Sequence, residues 1–101
     1  MRKHSIQTRQ VFQAMLDASD ETYGFELVKL TGIPSGSVYP ILRRLEEQQL
    51  VTARQEAIDP TAHRPRYRIF YKLTPQGRSA ARDATRDKTH ALRSFNAGWE
   101  T

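Results

Sequence analysis

The sequence predicts a mainly α fold carrying one small β-hairpin, and two segments predict it. From Gly24 to Val51 the chain reads as two short helices joined by a tight turn, the second pairing an apolar seam with a face of small, hydroxyl-bearing and basic residues. From Arg66 to Thr74, RYRIFYKLT alternates apolar with mostly basic positions, the period-two pattern of a half-buried strand. Two helices and a hairpin in this order make a winged helix-turn-helix, here followed by a further C-terminal helix.

Each element has its own local cause. Ile6, Val11, Phe12, Met15 and Leu16 mark a first helix over residues 5–18, the last four at helical spacing, with Ser5 as its N-cap. Ser19, Asp20 and Glu21 bring turn and cap chemistry, after which Phe25, Leu27, Val28 and Leu30 start a shorter helix that stops at Thr31-Gly32, the glycine supplying a left-handed terminus. Pro34 is expected to open the third helix, over residues 34–48, where its missing amide hydrogen costs little. There Val38, Ile41, Leu42 and Leu45 fall at i, i+3, i+4 and i+7, which makes one buried stripe. The opposite face holds Gly36, Pro40, Arg43 and Glu47, with Tyr39 and Arg44 on its flanks and Ser37 nearer the core boundary. Pro40 lies early in this helix and is expected to distort its first turns.

Leu50–Ile58 and Arg66–Leu73 flank a loop, residues 59–65, whose two prolines and Asp59 suit a hairpin tip. Alternation puts Tyr67, Ile69, Tyr71 and Leu73 toward the core and Arg66, Arg68, Phe70 and Lys72 outward. Phe70 has no partner in that pattern. Thr74-Pro75 reads as N-cap and first residue of a long last helix, with Ala80, Ala81, Ala84, Ala91, Leu92, Phe95 and Trp99 as its apolar set. Its terminal stripe of Leu92, Phe95 and Trp99 has no cover in its own chain, so a partner subunit is expected there.

Composition limits the chemistry. A length of 101 residues is one ordinary domain. Sixteen Lys and Arg against 11 Asp and Glu give a net charge of +5, the footprint of a polyanion-binding domain. Without cysteine there is no disulfide framework and no thiolate site, which suits a reducing cytosol. No apolar run approaches the roughly 20 residues of a membrane span, and none follows Met1-Arg2-Lys3-His4 as a secretory signal requires. A soluble, cytoplasmic protein is expected.

The segments YGFELVKLTGIPSGSVYPILRRLEEQQLV and HRPRYRIFYKLTPQG, within about Tyr23 to Gly77, resemble the PadR family of bacterial transcriptional regulators. The likeness is carried by Tyr23 to Leu27, by Gly-Ser-Val-Tyr-Pro at Gly36 to Pro40, by Arg-Arg-Leu-Glu at Arg43 to Glu46 and by Leu-Thr-Pro-x-Gly at Leu73 to Gly77. It implies a DNA-binding winged helix over residues 1–75, a homodimer built through the C-terminal helix at 76–101, and usually a repressor. The chain departs from the family pattern at Gln49, where glycine commonly ends the recognition helix, at Gln55, often aromatic, and at His63, often glycine. The long dimerisation domain of larger members is not expected here, so the residues after Gly77 must do that work or the protein is a weaker dimer.

In the DNA reading, Ser35, Ser37, Tyr39, Arg43 and Arg44 form the recognition surface. Hydroxyls and the helix N-terminus suit phosphate oxygens, and the arginines reach guanine edges or backbone. The bland reading of the same residues is a solvated helix face, which the adjoining hairpin makes the poorer one. His63, Arg64, Arg66 and Arg68 concentrate positive charge on that hairpin, where it would follow the backbone or enter a minor groove; Arg68 belongs alternatively to an outer strand face. Glu46 and Glu47 lie at the far end of the helix, clear of phosphates. Leu92, Phe95 and Trp99 form the expected dimer interface. Phe95 and Trp99 admit a small aromatic effector as a second reading, with packing favoured. His4, His63 and His90 are too scattered for a zinc motif, the carboxylates fall as helix charges, and Gly32 and Gly36 are followed by no Gly-Lys-Ser/Thr, so neither metal, cofactor nor enzyme activity is expected.

The expected function is therefore a sequence-specific regulator that binds double-stranded DNA at an inverted repeat as a homodimer. The competing function is a protein-interaction module whose same face takes an acidic partner. Neutralising Arg64, Arg66 and Arg68 separates them, because only the first loses duplex binding.

Overall fold

The computed structural model describes residues 4–86 apart from 19, 60, 62 and 65. The first helix, α1 (Ile6–Ala18), starts where Ser5 Oγ accepts the Thr8 amide hydrogen at 3.1 Å, an N-cap as the sequence suggests. It buries Val11, Phe12 and Met15 and half-buries Leu16, while Ile6 stays exposed.

A two-residue strand, β1 (Thr22–Tyr23), follows where the sequence suggests only a turn. Two residues carry no periodicity to read; the strand exists because a partner far along the chain pairs Thr22 with Tyr71 and Tyr23 with Phe70. The next helix, α2 (Gly24–Thr31), ends at Gly32, whose φ of 73° is the left-handed conformation that favours glycine and whose amide donates to the Val28 carbonyl. Thr31 Oγ1 donates to the Leu27 carbonyl at 2.7 Å and accepts the Ile33 amide hydrogen at 3.2 Å. Of the four apolar residues of α2, Leu27 is buried and Val28 half-buried, but Phe25 and Leu30 are 53% and 59% exposed. The Lys29 ammonium lies 5.4 Å from the Phe25 ring centre.

The third helix, α3 (Ser35–Glu47), begins one residue later than the sequence suggests. Pro34 is extended, and its carbonyl accepts the Ser37 and Val38 amide hydrogens, so it caps the ladder from outside. The helix continues through Pro40 without a break. It closes with the Gln49 amide donating to Glu46 and the Leu50 amide to Leu45, the paired bonds of a Schellman terminus. That terminus needs a left-handed residue, and Gln49 takes φ 62° to supply it.

The hairpin of β2 (Val51–Ala57) and β3 (Tyr67–Leu73) pairs Val51 with Leu73 through to Ala57 with Tyr67, and β1 completes a sheet of order β1-β3-β2. On its inner face Val51, Tyr71 and Leu73 are buried and Ile69 half-buried. Tyr67 is 56% exposed, contrary to expectation, because the hairpin runs past the edge of the core it covers. The last helix, α4, occupies residues 75–86 of those described. Thr74 caps it: the hydroxyl accepts the Gly77 amide hydrogen at 2.9 Å and donates to the Gln49 carbonyl at 2.8 Å. A Cβ on Gly77 would lie 1.7 Å from the Leu50 carbonyl oxygen, so only glycine lets this turn of α4 rest on the end of α3. Ala81 is fully buried in the same apolar cluster as Phe12, Leu27, Val38, Leu42 and Val51, which makes one core from four helices and the two strands of the hairpin. Leu92, Phe95 and Trp99 lie outside the described residues.

Candidate nucleic-acid interface

The amphipathic pattern of α3 places its functional face. Val38, Ile41, Leu42 and Leu45 are buried, which turns Ser35, Gly36, Tyr39, Pro40, Arg43 and Arg44 outward and leaves Ser37 half-buried at the boundary. The Pro34 carbonyl takes the Ser37 and Val38 amides, so the amides of Ser35 and Gly36 precede the ladder and point out of the helix end. With the macrodipole, such amides favour an anionic group. Pro34 offers no hydroxyl to compete for them.

Tyr39 is held by α2. A Cβ on Gly24 would come within 2.6 Å of its ring, so the absence of a side chain at Gly24 lets the phenol pack against the start of that helix while remaining 38% exposed. Below lies Tyr71. Burial pushes its phenol above the usual range, with Tyr39 and Glu46 pushing the same way and Arg43 opposing. Arg43 and Arg44 are exposed and make no ion pair among the described residues, so both guanidiniums are available to a ligand.

The hairpin carries the remaining cations on two different surfaces. His63, Arg64 and Arg66 are exposed at the tip and the entry to β3. The tip is braced by Asp59, whose Oδ1 accepts from the Thr61 amide at 3.1 Å and its hydroxyl at 2.8 Å, and by the Ile58 amide donating to Arg66. Arg68 sits instead on the outer sheet face, its guanidinium 5.0 Å from the Tyr23 ring centre. Arg54 lies on that face as well, 4.8 Å from the Phe70 ring centre and bound bidentately to Glu21 at 2.9 and 2.7 Å. Phe70 meets Tyr23 edge to face at 6.0 Å. Its outward position, unexplained by strand alternation alone, is explained by β1. The contacts of Arg54 with Glu21 and of Tyr23 with Arg68 and Phe70 had no local sequence signal, since the partners are distant along the chain. Gly36 did have one: nothing lies within 4 Å of where its Cβ would be, so the fold does not require glycine there.

Among the described residues no group of three metal-ligating side chains converges, and no helix is long and apolar enough to cross a membrane. In comparisons with known proteins, the model of the Transcriptional regulator PadR-like family matches residues 14–83. No curated protein sequence matches the chain. Among solved structures, a PadR family transcription regulator from hypervirulent Clostridium difficile is similar, with a TM-score of 0.70 and 16% identity over 94% of this chain and 99% of that one. Bordetella bronchiseptica BpsR, whose DNA binding is regulated by 6-hydroxynicotinic acid, aligns with a TM-score of 0.69 and 22% identity over 91% of this chain. The adhesin competence repressor of Streptococcus pyogenes aligns with a TM-score of 0.73 and 16% identity over 97% of this chain. The chain spans 64% and 67% of the lengths of the latter two.

Proposed function

Since the chain belongs to the PadR-like family of transcriptional regulators, which are not enzymes, we propose that it binds an inverted-repeat operator as a homodimer and acts as a repressor. The observation that carries this reading is the outward face of α3. Four buried apolar residues fix the helix, and Ser35, Tyr39, Arg43 and Arg44 stand on its free side, the two guanidiniums making no ion pair among the described residues. In that role the Ser35 and Gly36 amides and the Ser35 and Ser37 hydroxyls take phosphate oxygens. Arg43 and Arg44 read base edges, while His63, Arg64 and Arg66 follow the adjoining backbone. Arg68 contributes field more than contact, because its guanidinium is stacked on Tyr23. A small aromatic effector is part of the proposal by analogy with BpsR alone, and Phe95 and Trp99 are its candidates.

The experiment is selection of bound fragments from a random duplex pool, followed by titration of the recovered site. The expected product is an inverted repeat, with Arg43→Ala or Arg44→Ala costing about 1 to 3 kcal/mol if that arginine makes a bidentate base contact. Recovery of no preferred sequence, or full affinity in both variants, would overturn the assignment.

A further inference from the structure

A cleft of about 570 Å³ opens between α1, β1 and α2, on residues that the DNA-facing reading does not use. Its size falls among small-molecule sites, which run to about 300 to 1,000 Å³. Ala14 and Leu30 give it apolar wall, and Gln10 and Gln13 give it amides.

Its charge is the reverse of the molecule's. The chain carries +5, yet Asp17, Glu21 and Glu26 all line this cleft and no lysine or arginine does. Glu21 is committed to Arg54. Asp17 accepts one hydrogen bond, from Gln13 Nε2 at 2.9 Å, and neither Asp17 nor Glu26 makes an ion pair among the described residues. A separate observation bears on the same place. Thr22, on the cleft wall, is 3% exposed and its hydroxyl has no hydrogen-bond partner among the described residues, a vacancy that buried polar groups seldom tolerate. No three of these side chains converge as metal ligands, so a compact divalent ion is not what the cleft fits. The positive charge it takes must be spread along, or carried at one end of, an apolar body.

We propose that this cleft binds a small organic cation, a primary amine or amidine on an aromatic or aliphatic frame, with Asp17 and Glu26 taking the charge. An aryl carboxylate of the same size is rejected by the same two groups.

Calorimetric titration of the full chain without DNA tests this independently of any operator. Tyramine and benzamidine serve as cationic probes, and 4-hydroxyphenylacetate as the anion with the same phenol ring. Either cation is expected to bind, with the anion weaker by about tenfold or more. In the double variant Asp17→Asn, Glu26→Gln, both exposed positions, the cation's affinity is expected to drop by about tenfold or more with the melting temperature little changed. Failure of both cations to bind, equal binding of the anion, or undiminished binding in the double variant would each overturn the proposal. Loss of DNA recognition in the preceding experiment leaves all three readouts intact.

Discussion

At the scale of single residues, the backbone conformation decides more than the side chain does. Gln49 holds a left-handed φ of 62° so that α3 can close, and a side chain there is held against the crowding of Cβ with the carbonyl that disfavours this region by about 1 to 2 kcal/mol. Glycine removes that penalty and adds chain entropy to the unfolded state, a smaller opposing effect. Gln49→Gly is therefore expected to stabilise the fold by about 0.5 kcal/mol or more, read as a higher urea midpoint with unchanged slope. Gly36 presents the opposite case. It sits in a helix, where glycine is worse than alanine by about 0.5 to 1 kcal/mol, has no positive φ and faces open space. Gly36→Ala should accordingly raise stability while lowering duplex affinity, because in the proposed interface the added methyl group stands where the phosphate backbone would come closest. A stabilised variant with full affinity would place that close approach elsewhere.

At the scale of elements, the hairpin is fastened to the body through Glu21. Its carboxylate accepts both guanidinium hydrogen bonds of Arg54, and chiefly these hold its pKa below the ordinary value; desolvation opposes them, and the charges of Arg54 and Lys72 add to the lowering. A carboxyl depressed in the folded state contributes stability above its unfolded pKa, and that contribution is lost as pH falls through the folded one. The stability gap between the wild-type protein and Glu21→Gln should be open at neutral pH and close in acid, in urea titrations at a series of pH values. A constant gap would mean that the pair does not anchor the hairpin. The same fastening shows where sequence was legible. Local rules found Ser5, Gly32 and Thr74 as caps, the α3 stripe and the hairpin, because each depends on neighbours within about one or two turns of chain. They missed β1 and the Arg54–Glu21 contact, and put Tyr67 in the core, because those outcomes depend on partners 33 to 49 positions away or on where the core ends. Of the candidate interface, the α3 residues followed from one period, whereas Arg68 could be assigned to the sheet face only once Tyr23 was beside it.

At the scale of the whole molecule, the proposed operator binding makes the α3 face and the hairpin one half of a recognition surface. A single domain of this size reads only a few base pairs, and a two-fold pair places two such helices in successive major grooves about 34 to 36 Å apart. Binding by phosphate neutralisation then falls with salt, log affinity losing about 0.9 per contact for each tenfold rise in concentration, and a dimer doubles that slope. Leu92, Phe95 and Trp99 are the residues proposed to join the halves, since large apolar side chains recurring in the sequence at helical spacing are costly to leave in water. Changing Leu92 and Phe95 to Ser is expected to halve the mass measured by light scattering and to halve the salt slope, with the protected DNA shrinking from two half-sites to one. A variant of unchanged mass would move the interface off these residues. One of halved mass but full operator protection would instead show that two monomers dock on DNA without needing each other.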